Sequence, residues 1–120
     1  ASNDIKVYSF DGTFSGKTIG KGIFKYQAEG IALWKTAGKT GGYWITTDQG
    51  ADKTVFHIFD RISFDYKGSF EGEKTANTDG IALTAESFGQ FREGALIAVN
   101  NDGGISAFSL EDIRKTFFLK

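Results

Sequence analysis

Acidic residues standing before glycines are the first candidates for chemistry in this chain. Glu29 and Asp79 each precede the same Gly-Ile-Ala-Leu run, and Asn101-Asp102 precede Gly103-Gly104. On residue type alone such a carboxylate shapes a turn by bonding to nearby backbone N–H groups. Asn and Asp also tolerate positive φ, so Asn101-Asp102-Gly103 reads as a hairpin turn. His57 is the single histidine and lies in an alternating aromatic run, Val55-Phe56-His57-Ile58-Phe59, which predicts a packing or solvent-facing strand position. The order of residues offers no serine–histidine–acid set around it. Cysteine is absent, which excludes disulfides, thiolate metal sites and a thiol nucleophile. Gly38-Lys39-Thr40-Gly41-Gly42 lacks the spacing of a phosphate-binding loop and no helix follows, so it predicts a solvated hairpin loop. Asp60-Arg61 predicts an ion pair that holds a turn.

The elements that must position these residues are strands. Ile5–Phe10, Tyr43–Thr47, Val55–Phe59 and Ile105–Phe108 are short alternating runs of β-branched and aromatic residues, separated by Asp11-Gly12, Gly41-Gly42, Gly50, Gly68, Gly72, Asp79-Gly80 and Asp102-Gly103-Gly104. That pattern is all-β. Proline is absent, so tight turns fall to Gly, Asn and Asp. One stretch has the marks of a helix start: Ser109 precedes Leu110-Glu111-Asp112-Ile113, a serine cap with two acids in the first turn. A strand-and-turn ending fits the same residues.

The strands repeat. Glu29-Gly30-Ile31-Ala32-Leu33 returns as Asp79-Gly80-Ile81-Ala82-Leu83, Trp44–Gly50 as Ile97–Gly103, and Val7–Asp11, Phe56–Asp60 and Ala107–Glu111 share a third pattern, all at steps of about 50 residues. Each unit reads as four strands, the layout of a β-propeller blade. The expected fold is a partial β-propeller of about two and a half four-stranded antiparallel blades. Residues 1–26 end one blade, 27–72 form a complete blade, and 73–120 form most of a further one. Trp34, Trp44 and the 12 phenylalanines are assigned to packing between blades. An open arc of this kind would present sheet faces that want partners.

Lys and Arg number 14 against 15 Asp and Glu, giving a net charge of −1. Nothing in that balance attracts nucleic acid, and no apolar run reaches the roughly 18 residues of a membrane span. The start at Ala1-Ser2-Asn3 suits either a mature secreted protein or a fragment.

Taken in order, Glu29–Trp34, Tyr43–Gly50, Val55–Arg61, Asn77–Gly80 and Ala98–Gly103 resemble the C-terminal blades of the calcium-dependent β-propeller phytases. The resemblance covers nearly the whole chain. Those enzymes are six-bladed, mostly secreted bacterial phosphatases acting on myo-inositol hexakisphosphate. The resemblance implies calcium held by carboxylates at the mouth of a central channel, where the metal binds the polyanion and activates water. It assigns metal-binding roles to Glu29, Asp79, Asn101 and Asp102, with Glu29 the nearest to a catalytic residue. It implies phosphate monoester substrates and a secreted or periplasmic location.

The chain also departs from the family. Gln27 stands where the acid-x-Glu-Gly motif begins with an acid, and the Asp-x-Asp-Ala-Pro-x-Ile-Trp signature is absent, with most of the basic positions that hold phosphates. Phytase activity is therefore expected of a complete ring. Two other expectations follow from the same departures: a segment that assembles with copies of itself or other propeller segments as a binding or structural module, and a propeller ligand-binder without the chemistry.

Overall fold

The computed structural model describes residues 3–120. The chain forms β1 (Ile5–Tyr8), β2 (Phe14–Ile19), β3 (Gln27–Lys35), β4 (Gly42–Gln49), β5 (Thr54–Asp60), β6 (Tyr66–Glu71), β7 (Ile81–Thr84), β8 (Ala95–Asn100), β9 (Gly104–Ser109) and a terminal helix, α1 (Leu110–Thr116). Every pairing is antiparallel between consecutive strands, in three sheets of order β1-β2, β3-β4-β5-β6 and β7-β8-β9. The fold is all-β with one short helix, and among the described residues the three sheets do not close into a barrel or ring.

The central sheet is covered on both faces, and this explains why β4 and β5 are buried almost throughout. One face of β5 carries Phe56 and Ile58, which join Trp34, Tyr43, Ile45, Leu96 and Leu110 in the larger core beneath β7–β9 and α1. On its other face Phe59 packs with Ile19 and Phe24, and with Trp44 at the margin, towards the β1-β2 hairpin. The two tryptophans thus serve opposite faces: Trp34 is buried in the larger core and Trp44 lies beside the smaller one.

Ser109 caps α1 as the acids after it suggested, its hydroxyl accepting from the Asp112 N–H at 3.2 Å. Leu110 and Ile113 bury the inward stripe of the helix. Arg114 reaches Glu93 through two bonds of 2.7 and 2.6 Å, and Arg92 grips Glu111 at 3.1 and 2.8 Å, tying the helix to the loop before β8. Beyond it, the Phe117 ring lies against Gly68 of β6, where a Cβ would approach Cε1 to 2.6 Å.

The linkers between sheets are stitched down through their amides. Lys25 and Tyr26 both donate N–H to the Asp48 carboxylate, at 2.8 and 2.7 Å. In the next unit Ala76 N–H donates to Asn100 Oδ1 at 3.1 Å, so the end of the second strand again caps the linker leading into its own sheet. Asn77 N–H bonds Gly50 O at 2.9 Å and Thr78 N–H bonds Thr54 Oγ1 at 3.1 Å. These bonds join the third sheet to the central one.

Candidate functional site

Glu29 and Gly30 sit in a β-bulge, because Ala28 pairs with Asp48 and Ile31 with Thr46, leaving two residues opposite Thr47. The Thr47 hydroxyl accepts the Gly30 N–H at 2.7 Å. β7 starts beside this bulge: a Cβ on Gly30 would lie 2.9 Å from the Asp79 carbonyl oxygen. The backbone at Asp79, just before β7, thus lies against the bulge of β3 next to Glu29, and both acids are exposed. The Asp79 carboxylate accepts from the Gln49 amide, which also donates to Asn77 Oδ1 at 2.9 Å.

Asn101 and Asp102 occupy the β8-β9 hairpin with φ of 49° and 54°, and Gly103 N–H closes the turn on Asn100 O at 3.1 Å. Two consecutive left-handed residues are what a type I′ hairpin requires, and Asn and Asp supply them. The Asn101 N–H reaches back to Ala76 O at 3.1 Å, which fastens this turn to the linker ahead of Asp79. Among the described residues no three His, Asp or Glu side chains converge on one point.

Elsewhere the local readings divide. Residues 36–41 form the β3-β4 hairpin loop, as their composition suggested. Asp60 and Arg61 do not pair with one another. The Asp60 carboxylate accepts from Ile62 and Ser63 N–H, each at 2.9 Å, while Arg61 Nη1 donates to Lys39 O and Gly41 O at 3.1 and 3.2 Å. The two backbone donors following Asp60 hold its carboxylate, and Arg61 is drawn across to the carbonyls of the neighbouring hairpin.

Sequence reasoning missed a second polar centre. His57 is 5% exposed and Asp48 1%. Nε2 of His57 lies 3.1 Å from Asp48 Oδ2, and Nδ1 lies 3.0 Å from the Tyr66 hydroxyl. Strict alternation from Gly68 and Phe70 would send Tyr66 to the opposite face. A bulge prevents this: Ile58 pairs with Gly68 but Phe59 with Tyr66, so Lys67 is the extra residue and Tyr66 turns to the face of His57. Asp48, His57 and Tyr66 line a cleft of about 290 Å³, with Lys25, Lys53 and Tyr26 also on its walls. At its mouth Lys53 pairs with Glu71 at 3.1 Å, and the Glu71 carboxylate raises the Lys53 ammonium above its ordinary range. The available signal was the acid in Thr47-Asp48-Gln49, which falls where strand alternation would bury it against β5.

No protein-family model matches the chain, and no curated protein or solved structure matches it.

Proposed function

We propose that this chain is a segment of a phytase-like β-propeller that removes phosphate from inositol hexakisphosphate or related phosphate monoesters once further blades complete the ring. One observation carries the reading. The acid–glycine pairs Glu29-Gly30 in β3 and Asp79-Gly80 just before β7, about 50 residues apart, meet where Gly30 faces the Asp79 carbonyl. Such adjacency is what inner strands facing a common channel require. The Glu29 and Asp79 carboxylates and the Asp79 carbonyl are all hard oxygen donors, the type calcium prefers. They fit calcium in kind and would hold it, with Asn101 and Asp102 offering further oxygens near the same linker. Bound calcium would supply the positive charge that a polyphosphorylated substrate needs. The carboxylates' part is to fix that charge at the strand starts, and Gln49 holds Asp79 in place.

The test is phosphate release from phytate by the chain combined with segments supplying the missing blades, in calcium and in excess chelator. Calcium-dependent release is expected; activity indifferent to the chelator would overturn the mechanism.

A second reading has its own support, that the segment assembles with copies of itself as a binding module. Tyr8, Phe10 and Phe14 of the β1-β2 hairpin are exposed, with the Tyr8 and Phe14 rings 5.4 Å apart. These rings would be covered in an assembly. Light scattering on the isolated chain decides it, since a stable monomer at high concentration removes this reading.

A further inference from the structure

We infer that Asp48, His57 and Tyr66 form a proton relay that makes the Tyr66 phenol a nucleophile towards small acyl donors entering the cleft between the linker joining β2 to β3 and the β5-β6 pair. The direction of the relay follows from its ends. A carboxylate only accepts, so Nε2 of His57 carries the proton that bonds Asp48 at 3.1 Å, and Nδ1 is left as the acceptor 3.0 Å from the Tyr66 hydroxyl. Asp48 is itself held by the Lys25 and Tyr26 N–H groups at 2.8 and 2.7 Å, so its carboxylate cannot swing away. This is the arrangement of a nucleophile, a base and a group that orients the base, with a phenol in the place of an alcohol.

Tyr66 is the member of the relay exposed in the cleft. His57 and Asp48 are buried, whereas Tyr66 is 44% exposed and lines the cleft. As the phenol oxygen attacks an acyl carbon, a C–O bond forms and the phenol proton passes to Nδ1 of His57. Asp48 stabilises the imidazolium that results. The bond from carbon to the leaving group then breaks, and His57 returns the proton to that group. Negative charge on the carbonyl oxygen develops in a cleft that Lys25 and Lys53 line, with Glu71 beside them paired to Lys53. Nothing is oxidised or reduced, and the product is an aryl ester at Tyr66 with the protonated leaving group free.

The chain contains its own control. Tyr26 lines the same cleft and is 42% exposed, but no histidine bonds its hydroxyl; Tyr8, at 59%, is more exposed than either. The folded protein is treated with limiting N-acetylimidazole, digested, and its tyrosine peptides quantified by mass spectrometry. Hydroxylamine separates the labile phenol esters from lysine amides. Tyr66 is expected to acylate about tenfold faster than Tyr26 and faster than Tyr8, a modest share of what a positioned base delivers. His57→Gln, checked for folding by circular dichroism, is expected to reduce Tyr66 to the rate of Tyr26. Equal rates for Tyr66 and Tyr26 in the unaltered protein would overturn the relay, and this comparison needs no variant. A Tyr66 preference surviving in folded His57→Gln would overturn it as well.

Discussion

Gly30 and Asp79 stand so close that only the absence of a side chain on the first allows the carbonyl of the second its position, since a Cβ on Gly30 would meet that oxygen at 2.9 Å. The contact sets how closely the backbone before β7 approaches the β3 bulge that carries Glu29. Gly30→Ala is expected to push β3 and β7 apart, and Asp79→Asn to remove one hard donor. Each should weaken the calcium binding proposed for the completed ring by at least about tenfold, the smaller loss seen when support of a metal site is removed. Isothermal titration with calcium checks both; unchanged affinity in Asp79→Asn would remove Asp79 from the proposed ligand set.

Gly68 poses a packing question of a different kind. Its φ of +137° suits glycine, and the Phe117 ring fills the space a methyl group would need. Gly68→Ala is expected to cost about 1–3 kcal/mol through strain and displacement of the ring. A thermal melt would register the loss. Phe117→Ala combined with Gly68→Ala should cost less than the sum of the two single changes, because the clash disappears with the ring.

Asp48 accepts two backbone N–H groups and His57 while almost wholly buried. Truncation to alanine strands all of these donors together, and unmade bonds of buried groups each cost on the order of 1–3 kcal/mol. Asp48→Ala is expected to lose about 3 kcal/mol or more in denaturant unfolding. A change below 1 kcal/mol, read by the same titration, would mean that water replaces the carboxylate freely.

Two turns depend on carboxylates that their surroundings keep ionised. The Ser63 and Ile62 N–H groups hold the Asp60 carboxyl below its usual range, and the Ser9 hydroxyl and Thr13 backbone lower that of Asp11 to about 2. A carboxyl depressed in the folded state stabilises above its unfolded pKa, and the contribution fades as pH falls through the folded value. The β5-β6 turn is therefore expected to be fully stabilised at neutral pH and to weaken as pH falls through the lowered pKa of Asp60. Asp60→Ala should remove about 1 kcal/mol at pH 7 and shrink the difference from the parent at low pH, as stability curves at both pH values would reveal.

The strands, the Ser109 cap and the Asn101-Asp102 turn were legible because each depends on local chemistry: alternation, a hydroxyl before two acids, and residues that accept positive φ. The His57 centre was not, for two reasons. Asp48 and Tyr66 meet His57 across strand pairings, and the bulge at Lys67 reverses the face that alternation assigns to Tyr66. Arg61 eluded reading for a similar cause. Its partners are backbone carbonyls of another hairpin, and no side-chain pattern marks them. Glu29 and Asp79 were singled out by repetition, but only the sheet packing brings the β3 bulge at Gly30 against the Asp79 backbone.

The stitched linkers give the chain an uneven clock. At Lys25, Tyr26, Ala76, Asn77 and Thr78, segments without strand structure have every one of these amide protons committed. Their deuterium uptake should be as slow as that of the flanking strands, while the hairpin tips exchange at once. Proteases would then nick the tips and leave the linkers whole, so that a cut molecule stays assembled. The same commitment rules out proline at these five positions, since each would forfeit an N–H that is in use.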